Sequence, residues 1–264
     1  MSASSDPGRL TSLRGIVTAI CIEAAAGVAE SSERRAIRTK STSTDIVTST
    51  DLRTEALIIE RIRAATPGAR ILAEEGGFVV AGNGSDTDLE WIVDPLDGTV
   101  NFAYGLPVTS VSIAVAIGGR PVAGCVADVM RGEVFSAHRG GGASLDGEPI
   151  SVGAGTRLDQ SLVATGYSYR PEVRTRHGRF IAELLDDVRD VRAFGSAALH
   201  LCWLAAGRID IYVERDIKPW DYAAGSLIAE EAGAAVELPC LENDLLVTAA
   251  NPVLSRAIAP IIAC

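Results

Sequence analysis

The stretch WIVDPLDGTVNFAYGLP, residues 91–107, decides more about the fold than any other segment of this sequence. Its first three residues are apolar and typical of a buried strand. Asp94 follows at the strand end, where the fixed φ of Pro95 turns the chain and lets Asp97 return to the same side. The segment therefore predicts a strand that ends in two neighbouring carboxylates.

Two carboxylates this close repel each other unless a cation lies between them, and hard oxygen ligands of this kind suit Mg²⁺. Gly98 and Thr99 come next and offer backbone N–H groups at the start of a predicted helical turn, where a phosphate oxygen can bind. The alternative is that DP and DG are only turn dipeptides. An EF-hand is excluded because the segment lacks the alternating acidic ligands and the closing glutamate.

Upstream of this segment, the sequence predicts two helices and one short strand. Apolar residues recur at helical spacing over 10–28 and 52–62, and the Pro-Gly pair at 67–68 stops the second pattern. A strand is predicted at 71–73. A surface loop rich in glycine, asparagine and aspartate is predicted over 76–88.

Downstream, the sequence predicts strands over 108–117 and 121–130, and a stretch around 151–160 is a candidate subdomain boundary. Beyond it we predict helices at 177–187, 196–206 and 222–232, and strands at 161–165, 209–213 and 245–249. This order indicates mixed α/β layers. We predict an N-terminal α+β subdomain over 1–150, which carries most of the metal ligands, and a C-terminal α/β subdomain over 151–264.

The composition excludes several classes of function. The 264 residues include 24 Lys and Arg against 34 Asp and Glu, a net charge of −10, so no basic surplus exists to neutralise the phosphates of a nucleic acid. We therefore expect no nucleic-acid partner. Hydrophobic residues make up 47% and charged residues 22%, which is typical of a globular core and not of a disordered or fibrous chain.

The apolar runs and the cysteine pattern of the sequence bear on membrane association and on the redox compartment. No run approaches the roughly 18 consecutive apolar residues of a membrane span, so we expect a soluble protein with no membrane partner. The apolar stretch 15–22 imitates a secretory signal, but Glu23 and Glu30 interrupt it and favour an amphipathic helix. The five cysteines are scattered without a CxxC pair, so neither a disulfide framework nor a zinc site is predicted. We expect a reduced, cytoplasmic protein.

Further acidic residues lie at predicted element ends. Glu74 and Glu75 follow a strand and precede a glycine pair, although a glutamate pair alone is usually a solvated surface feature. Asp221 opens a predicted helix, where the alternative role is that of an N-cap. Asp45 and Asp51 precede the second helix, and turn or cap roles stay open for both.

These motifs resemble those of the inositol monophosphatase family of Mg²⁺-dependent sugar and polyol phosphatases. The matching segments are KSTSTDIVTSTD (40–51), AEEG (73–76), WIVDPLDGTVNF (91–102) and WDYAAGSLIAEEAGA (220–234). Their order and spacing match, so the resemblance covers nearly the whole chain. It implies a layered αβαβα sandwich of the inositol monophosphatase and fructose-bisphosphatase type, assembled as a homodimer.

The resemblance implies a site for two to three Mg²⁺ ions. Glu74, Asp94 and the main-chain carbonyl of Leu96 are the expected ligands of the first ion. Asp94, Asp97 and Asp221 are expected to hold the second, and Asp221 is also expected beside the substrate. A looser third ion is expected near Glu74.

The resemblance also implies catalytic roles. Gly98 and Thr99 are expected to contact the phosphate. Thr99, paired with Asp51, is similar to the family's water-orienting dyad, with Glu75 nearby as a second acidic group. Lys40 matches a lysine on the family's mobile loop, which closes over the site and helps with the third ion. A solvated lysine is the alternative.

Substrate contacts follow from two further matches. Gly195-Ser196-Ala197 resembles the family's segment that touches the sugar or inositol ring. Glu214 matches a glutamate that accepts hydrogen bonds from inositol hydroxyls, and the alternative is a strand-end ion pair with Arg208 or Arg215. Lys218-Pro219 corresponds to no pattern that we can assign, and it lies close to the expected leaving-group pocket.

The implied function is Mg²⁺-dependent hydrolysis of a small phosphomonoester, with inositol 1-phosphate as the first expectation, by a metal-activated water and without a covalent phospho-enzyme. Lithium sensitivity is expected from the same resemblance. The alternative substrates are histidinol phosphate, 3′-phosphoadenosine 5′-phosphate and fructose 1,6-bisphosphate. A different class of function is a metal-binding interaction module with little turnover. A water-orienting threonine beside a full set of metal ligands argues against this class.

Overall fold

The computed structural model describes residues 6–33, 36–39, 45–80, 88–238, 240–241 and 244–262. Helices and sheets alternate in five layers, which confirms the predicted αβαβα sandwich. The N-terminal elements are α1 (Pro7–Glu30), β1 (Ala36–Thr39), β2 (Ile46–Thr48), α2 (Ser49–Ala65), β3 (Arg70–Ala73), β4 (Gly77–Val80), β5 (Leu89–Asp97), α3 (Thr99–Tyr104), β6 (Ser110–Ile117), β7 (Arg120–Asp128), β8 (Val134–His138), β9 (Ala143–Leu145) and β10 (Glu148–Pro149).

The larger sheet has the strand order β10-β9-β8-β7-β6-β5-β3-β4, and β1 pairs with β2 separately. Most of its neighbours are antiparallel, but β3 and β5 run parallel, so their carboxyl ends lie side by side. Alternate residues of β5 face opposite layers because side chains in a strand have a period of two. Trp91 and Val93 pack beneath α1 and α2, whereas Ile92 packs toward the central helices.

The C-terminal elements form the smaller sheet and the remaining helices. They are β11 (Leu162–Ala164), α4 (Pro171–Leu184), β12 (Asp190–Arg192), α5 (Ala197–Ala205), β13 (Ile211–Arg215), α6 (Pro219–Glu231), β14 (Ala235–Glu237), β15 (Cys240–Leu241), β16 (Asp244–Ala250) and α7 (Pro252–Ile262). The path of the smaller sheet is β12-β11-β13-β16-β14. Helices α5 and α6 fill the layer between the two sheets, and α4 and α7 cover the outer face.

Helix α1 is long and apolar enough, by length and composition alone, to cross a membrane. In this fold its apolar stripe, which includes Leu13, Val17 and Val28, is buried against the larger sheet. The stripe recurs at the spacing of an amphipathic helix. The predicted amphipathic first helix is confirmed as a core element.

Several predicted boundaries shift. The strands predicted over 108–117 and 121–130 are confirmed as β6 and β7. Helix α4 begins at Pro171, not at 177, because proline is well suited to the first helical position. The loop prediction over 76–88 is wrong at residues 77–80, which form β4, and residues 81–87 lie outside the described part of the chain. The division into 1–150 and 151–264 remains a prediction.

Candidate active site

The end of β5 contains an irregularity that brings two carboxylates to one face. Asp94 pairs with Ser112 of β6 and Asp97 pairs with Ser110, so three steps along β5 match two steps along β6. In a regular strand, residues three apart face opposite sides, and one extra residue restores the same side. Pro95 lies within this bulge and cannot donate a ladder hydrogen bond. The predicted convergence of Asp94 and Asp97 therefore depends on a β-bulge.

Asp97 is held by the start of α5. Its Oδ2 accepts hydrogen bonds from the hydroxyl of Ser196 at 2.6 Å and from the backbone N–H of Ala198 at 2.9 Å, with the Ser110 hydroxyl at 3.4 Å. Burial raises the pKa of Asp97 to about 6, and these donors oppose the rise because they favour the charged form. The carboxylate is thus fixed in orientation across the interface between the two halves of the chain.

Asp94 is the most crowded carboxylate of the site. One of its oxygens accepts the backbone N–H of Leu96 at 3.0 Å. Burial raises its pKa well above the ordinary range, and the nearby charges of Glu74, Asp97 and Asp221 raise it further. Glu74 reaches this point because its backbone N–H donates to Val93 of the parallel strand at 3.1 Å. Like charges this close disfavour full ionisation.

Asp221 enters from α6. The hydroxyl of Ser112, the ladder partner of Asp94, donates to the carbonyl of Trp220 at 3.3 Å and so holds the start of α6 near Asp94. Helix α6 begins at Pro219, so Asp221 is its third residue and not the N-cap. The carboxylate of Asp221 accepts the backbone N–H of the N-cap residue, Lys218, at 2.6 Å. Burial and then the charge of Glu74 raise the pKa of Asp221 well above the ordinary range.

These acidic groups suit a divalent cation by their chemistry. Asp94 is buried and Asp221 is half-buried among like charges, and a hard cation relieves this repulsion. No three His, Cys, Asp or Glu side chains in the described ranges are already arranged to hold a metal ion. Among the described residues, the carboxylates are therefore close enough to influence one another's charge but do not form a closed coordination shell.

Gly98 shapes the turn between β5 and α3. Its φ of 90° lies in the left-handed region, and a Cβ there would lie 2.8 Å from the carbonyl oxygen of Val108 and 3.1 Å from that of Gly195. Both the conformation and the space require glycine. Residue 98 is the N-cap of α3, so Thr99 opens the helix as predicted.

Thr99 and Asp51 are brought together across 48 residues of sequence. The Thr99 hydroxyl lies 3.0 Å from Oδ1 of Asp51 and 3.0 Å from the carbonyl oxygen of Leu96. Asp51 is the third residue of α2, and its Oδ2 accepts both the backbone N–H of Thr48, at 2.9 Å, and the Thr48 hydroxyl. The capping box of α2 thus fixes the carboxylate that binds Thr99.

Glu55 is a site residue that the sequence analysis missed. It lies one helical turn after Asp51 and is buried, and its Oε2 accepts the backbone N–H of Glu75 at 2.8 Å. A Cβ on Gly76 would lie 2.9 Å from its other oxygen. Glu55 therefore holds the turn that carries Glu74, and the i,i+4 spacing of two acidic residues on a buried face was the available signal. These contacts place the backbone of Glu75 against α2, and a catalytic role for its side chain remains a prediction.

The 195–197 segment lies beside this corner. The side-chain amide of Asn101 donates to the carbonyl oxygen of Phe194 at 2.6 Å and to that of Val108 at 2.9 Å. Gly195 has a φ of 82°, and a Cβ there would lie 2.9 Å from the Asn101 amide nitrogen. Ser196 caps α5, and Ala197 is its first residue. The predicted ring-contacting segment is thus fixed next to Gly98 and Asp97.

Glu214 faces a different partner from the ones considered in sequence. Its Oε2 accepts the hydroxyl of Tyr212 at 3.0 Å, while Arg208 binds Glu133 at 2.6 Å. The alternative of an ion pair with Arg208 is therefore wrong. Burial raises the pKa of Glu214 to about 8, and the charge of Asp97 adds to the rise. The ring centroids of Tyr212 and His200 lie 5.7 Å apart, so the face of β13 that carries Tyr212 and Glu214 is turned toward α5, whose start holds Asp97.

Asp216 forms a clasp between two segments near Glu214. It accepts the Ser168 hydroxyl at 2.6 Å and the Arg170 guanidinium at 2.8 Å, and the Lys218 ammonium lies at 3.2 Å. Its φ of 65° is left-handed, which an aspartate tolerates better than most residues. Lys218 thus binds Asp216, and Pro219 is the first residue of α6. Lys40 lies outside the described residues.

The chain is similar to known proteins over most of its length. The sequence model of the "Inositol monophosphatase family" matches residues 10–261. The chain is 44% identical to the inositol-1-monophosphatase of Mycobacterium leprae over 84% of this chain and 80% of that protein. It is also 43% identical to the Nus factor SuhB of Escherichia coli strain K12, over 74% of this chain and 72% of that protein.

The solved structure of Mycobacterium tuberculosis SuhB superposes with a TM-score of 0.82 at 39% identity and covers 98% of this chain and 97% of its own. The family match over nearly the whole sequence, the identity to these relatives and the shared fold agree with one another. This chain belongs to the inositol monophosphatase family and is a phosphatase of that family.

Proposed function

We propose that this protein hydrolyses inositol 1-phosphate to inositol and phosphate in a Mg²⁺-dependent reaction. One observation carries the proposal: the Thr99 hydroxyl is bound to Asp51 at 3.0 Å beside a buried cluster of carboxylates. A hydroxyl held by a fixed carboxylate can orient a water, and the carboxylate cluster can hold the cations that activate it. A binding module has no use for this combination.

The proposed metal ligands follow the gathered oxygens. Glu74, Asp94 and the carbonyl of Leu96 would hold one ion, and Asp94, Asp97 and Asp221 a second, with a third near Glu74. Bound Mg²⁺ lowers the pKa of a coordinated water and offsets charge on the leaving oxygen. The raised pKa values of Asp94 and Asp221 support this assignment, because the two largest influences on each, burial and the charge of Glu74, disfavour the ionised form that a bound cation stabilises.

Thr99 directs the proton of the attacking water. A hydroxyl has one hydrogen, which Thr99 gives to Asp51 or to the Leu96 carbonyl, so its oxygen is available to accept a hydrogen bond from water. The attacking water is then aligned by the oxygen of Thr99, with Asp51 as the fixed acceptor behind it. Thr48 keeps Asp51 in this orientation through two hydrogen bonds.

In the proposed complex, the phosphate group and the leaving polyol bind on opposite sides of Thr99 and Asp51. The backbone N–H groups at Gly98 and Thr99 would contact phosphate oxygens. The segment Gly195-Ser196-Ala197, together with Glu214 and Asp221, would contact the polyol. Glu214 is buried beside the acidic corner and supplies the polar group that hydroxyls of a ring require.

Further properties are proposed from the same family membership. We propose a homodimer located in the cytoplasm, with small phosphate esters as partners and with inhibition by Li⁺. Li⁺ at millimolar concentration should lower turnover, and an unchanged rate would contradict the third-ion assignment.

The experiment that tests the function is phosphate release by the purified protein from four esters, with Mg²⁺ and with a chelator. The esters are inositol 1-phosphate, histidinol phosphate, 3′-phosphoadenosine 5′-phosphate and fructose 1,6-bisphosphate. Mg²⁺-dependent preference for inositol 1-phosphate is the expected result. A preference for another ester would keep the mechanism and overturn the substrate, and no release from any of them would favour the interaction module.

A further inference from the structure

The surroundings of Glu214 define the position of its carboxyl group on two sides. Tyr212 lies two residues earlier on β13, so both side chains project from the same face of the strand. Tyr212 is fully buried, and its hydroxyl donates to Oε2 of Glu214 at 3.0 Å. A buried phenol with this single polar partner fixes the rotation of the carboxyl group.

Gly166 defines the second side. A Cβ on Gly166 would lie 2.2 Å from Oε1 and 2.4 Å from Oε2 of Glu214. The φ of Gly166 is not among the left-handed values, so its backbone conformation suits any residue. A side chain at residue 166 would therefore have to displace the Glu214 carboxyl group, which fills the space beside Gly166.

The backbone beneath Gly166 is anchored by its neighbour. The hydroxyl of Thr165 lies 2.7 Å from the carbonyl oxygen of Val213 and 2.8 Å from Nε2 of His177. Thr165 and His177 are both buried. Val213 lies between Tyr212 and Glu214 on β13. The bond between the Thr165 hydroxyl and the Val213 carbonyl therefore fixes where Gly166 lies along β13 relative to Glu214. Val213 and Glu214 of β13 thus meet Thr165 and Gly166 of the neighbouring segment.

We propose that Tyr212 and Gly166 are positioning residues that hold the Glu214 carboxyl group against the leaving alcohol and so select polyhydroxylated phosphate esters. This inference rests on the proposed function and deepens it. Tyr212 sets the rotation of the carboxyl group, and the absence of a side chain at Gly166 sets its depth. Neither residue is assigned contact with the phosphate or the metal.

The test compares two esters that differ in their leaving group. Inositol 1-phosphate presents ring hydroxyls, whereas p-nitrophenyl phosphate presents none. Tyr212→Phe should raise KM for inositol 1-phosphate about fivefold, the equivalent of one hydrogen bond, and leave KM and kcat for p-nitrophenyl phosphate within about twofold. Tyr104→Phe, at an exposed position, is the matched control and should change neither.

A double-mutant cycle separates positioning from general stability. Tyr212→Phe introduced into Glu214→Ala should cost little beyond the single change, because the carboxyl group that Tyr212 positions is already absent. Gly166→Ala should act in the same direction as Tyr212→Phe and more strongly, with an unchanged circular dichroism spectrum. Equal losses on both esters, or additive losses in the cycle, would overturn the proposal.

A crystal structure of Gly166→Ala decides the geometry independently of turnover. The Glu214 carboxyl group should be displaced from its wild-type position. An undisplaced carboxyl group would overturn the positioning role even in an active enzyme. If the wild-type protein releases phosphate from neither ester, the proposed function fails, and the displacement still reports on the positions of Gly166 and Glu214.

Discussion

The two walls of the candidate site are built differently. On the catalytic wall, a backbone N–H group binds each of three carboxylates. The N–H of Leu96 binds Asp94, that of Ala198 binds Asp97, and that of Thr48 binds Asp51. On the leaving-group wall, side-chain groups hold the carboxylates: the Tyr212 hydroxyl binds Glu214, and the Ser168 hydroxyl and the Arg170 guanidinium bind Asp216. Backbone devices fix atoms tightly, whereas side-chain contacts between segments can change with little effect on the fold. In the proposed function, the chemistry therefore depends on the first wall and the choice of substrate on the second.

The largest expected effect is on the catalytic wall. Asp94→Asn should lower kcat by roughly 10³-fold or more, because it removes a charge shared by both proposed ions. The metal-free protein should become more stable to heat, since one of several buried like charges is gone. Enzyme assays and thermal melting in chelator check the two parts.

Asp159→Asn, at an exposed position paired with Arg157, is the control for Asp94→Asn and should change neither quantity. A variant of Asp94 that keeps more than a few per cent of wild-type turnover would contradict the metal assignment.

Thr99→Val should lower kcat by about 10²-fold with little change in KM, because the variant keeps the shape and loses the hydroxyl that orients water. Thr99→Ser keeps the hydroxyl and should restore most of the rate. The measurement is steady-state kinetics on both esters. Equal rates for the valine and serine variants would remove Thr99 from the mechanism.

The clasp on the leaving-group wall gives a smaller effect. Asp216→Asn keeps a residue that tolerates left-handed backbone but weakens the bonds with Arg170 and Lys218. We expect a rise of about two- to threefold in KM for inositol 1-phosphate, with kcat for p-nitrophenyl phosphate unchanged, and a loss of about 1 kcal/mol in stability. A fall in kcat on both esters would show that the two walls are not separable.

The remaining prediction concerns the dependence of stability on pH. Glu214 has a pKa of about 8 in the folded chain against an ordinary value of 4.5, so between these values the folded protein holds a proton that the unfolded chain has lost. Stability of the metal-free protein should therefore fall as pH rises from about 5 to 8, by a few kcal/mol at most, at about 1.4 kcal/mol per unit of pKa difference. Thermal melts of the wild type and of Glu214→Gln compare the slopes.

The Glu214→Gln slope should be flatter than that of the wild type. A slope that stays the same in the variant would show that Asp97, whose pKa is raised to about 6, and the other carboxylates account for the pH dependence.

The difference between the walls also explains what the sequence could predict. The catalytic wall lies in contiguous motifs, and the strand over 91–93, the helix start at Thr99 and the convergence of Asp94 with Asp97 were all predicted from local rules. The bulge itself was not predicted, because it is a property of two paired strands and appears only when β6 supplies the register. Glu55 was missed because its partner, the backbone of Glu75, lies on another element.

The leaving-group wall was harder to predict for the same reason. Nothing local to Glu214 shows that Gly166 lies against its carboxyl group, since the two residues meet only after β11 and β13 align in parallel. Lys218 carries no motif, and its role emerges only from the clasp with Asp216. Asp221 was predicted at the start of α6, but its position as third residue depends on Pro219 opening the helix.

The bulge at the end of β5 gives the segment a parity. Two residues of a regular strand face the same layer when an even number of steps separates them. The bulge at Pro95 and Leu96 adds one step, so Asp94 and Asp97 face the same layer although three steps separate them. Deleting one residue there would leave Asp97 opposite Ser110 on the same face, but it would remove the extra residue of the bulge, where the Leu96 N–H binds Asp94 and the Leu96 carbonyl accepts the Thr99 hydroxyl. A change of side chain at Leu96 leaves the count and both backbone groups intact. Across relatives of this chain, the number of residues between the two aspartates should therefore vary less than their identity.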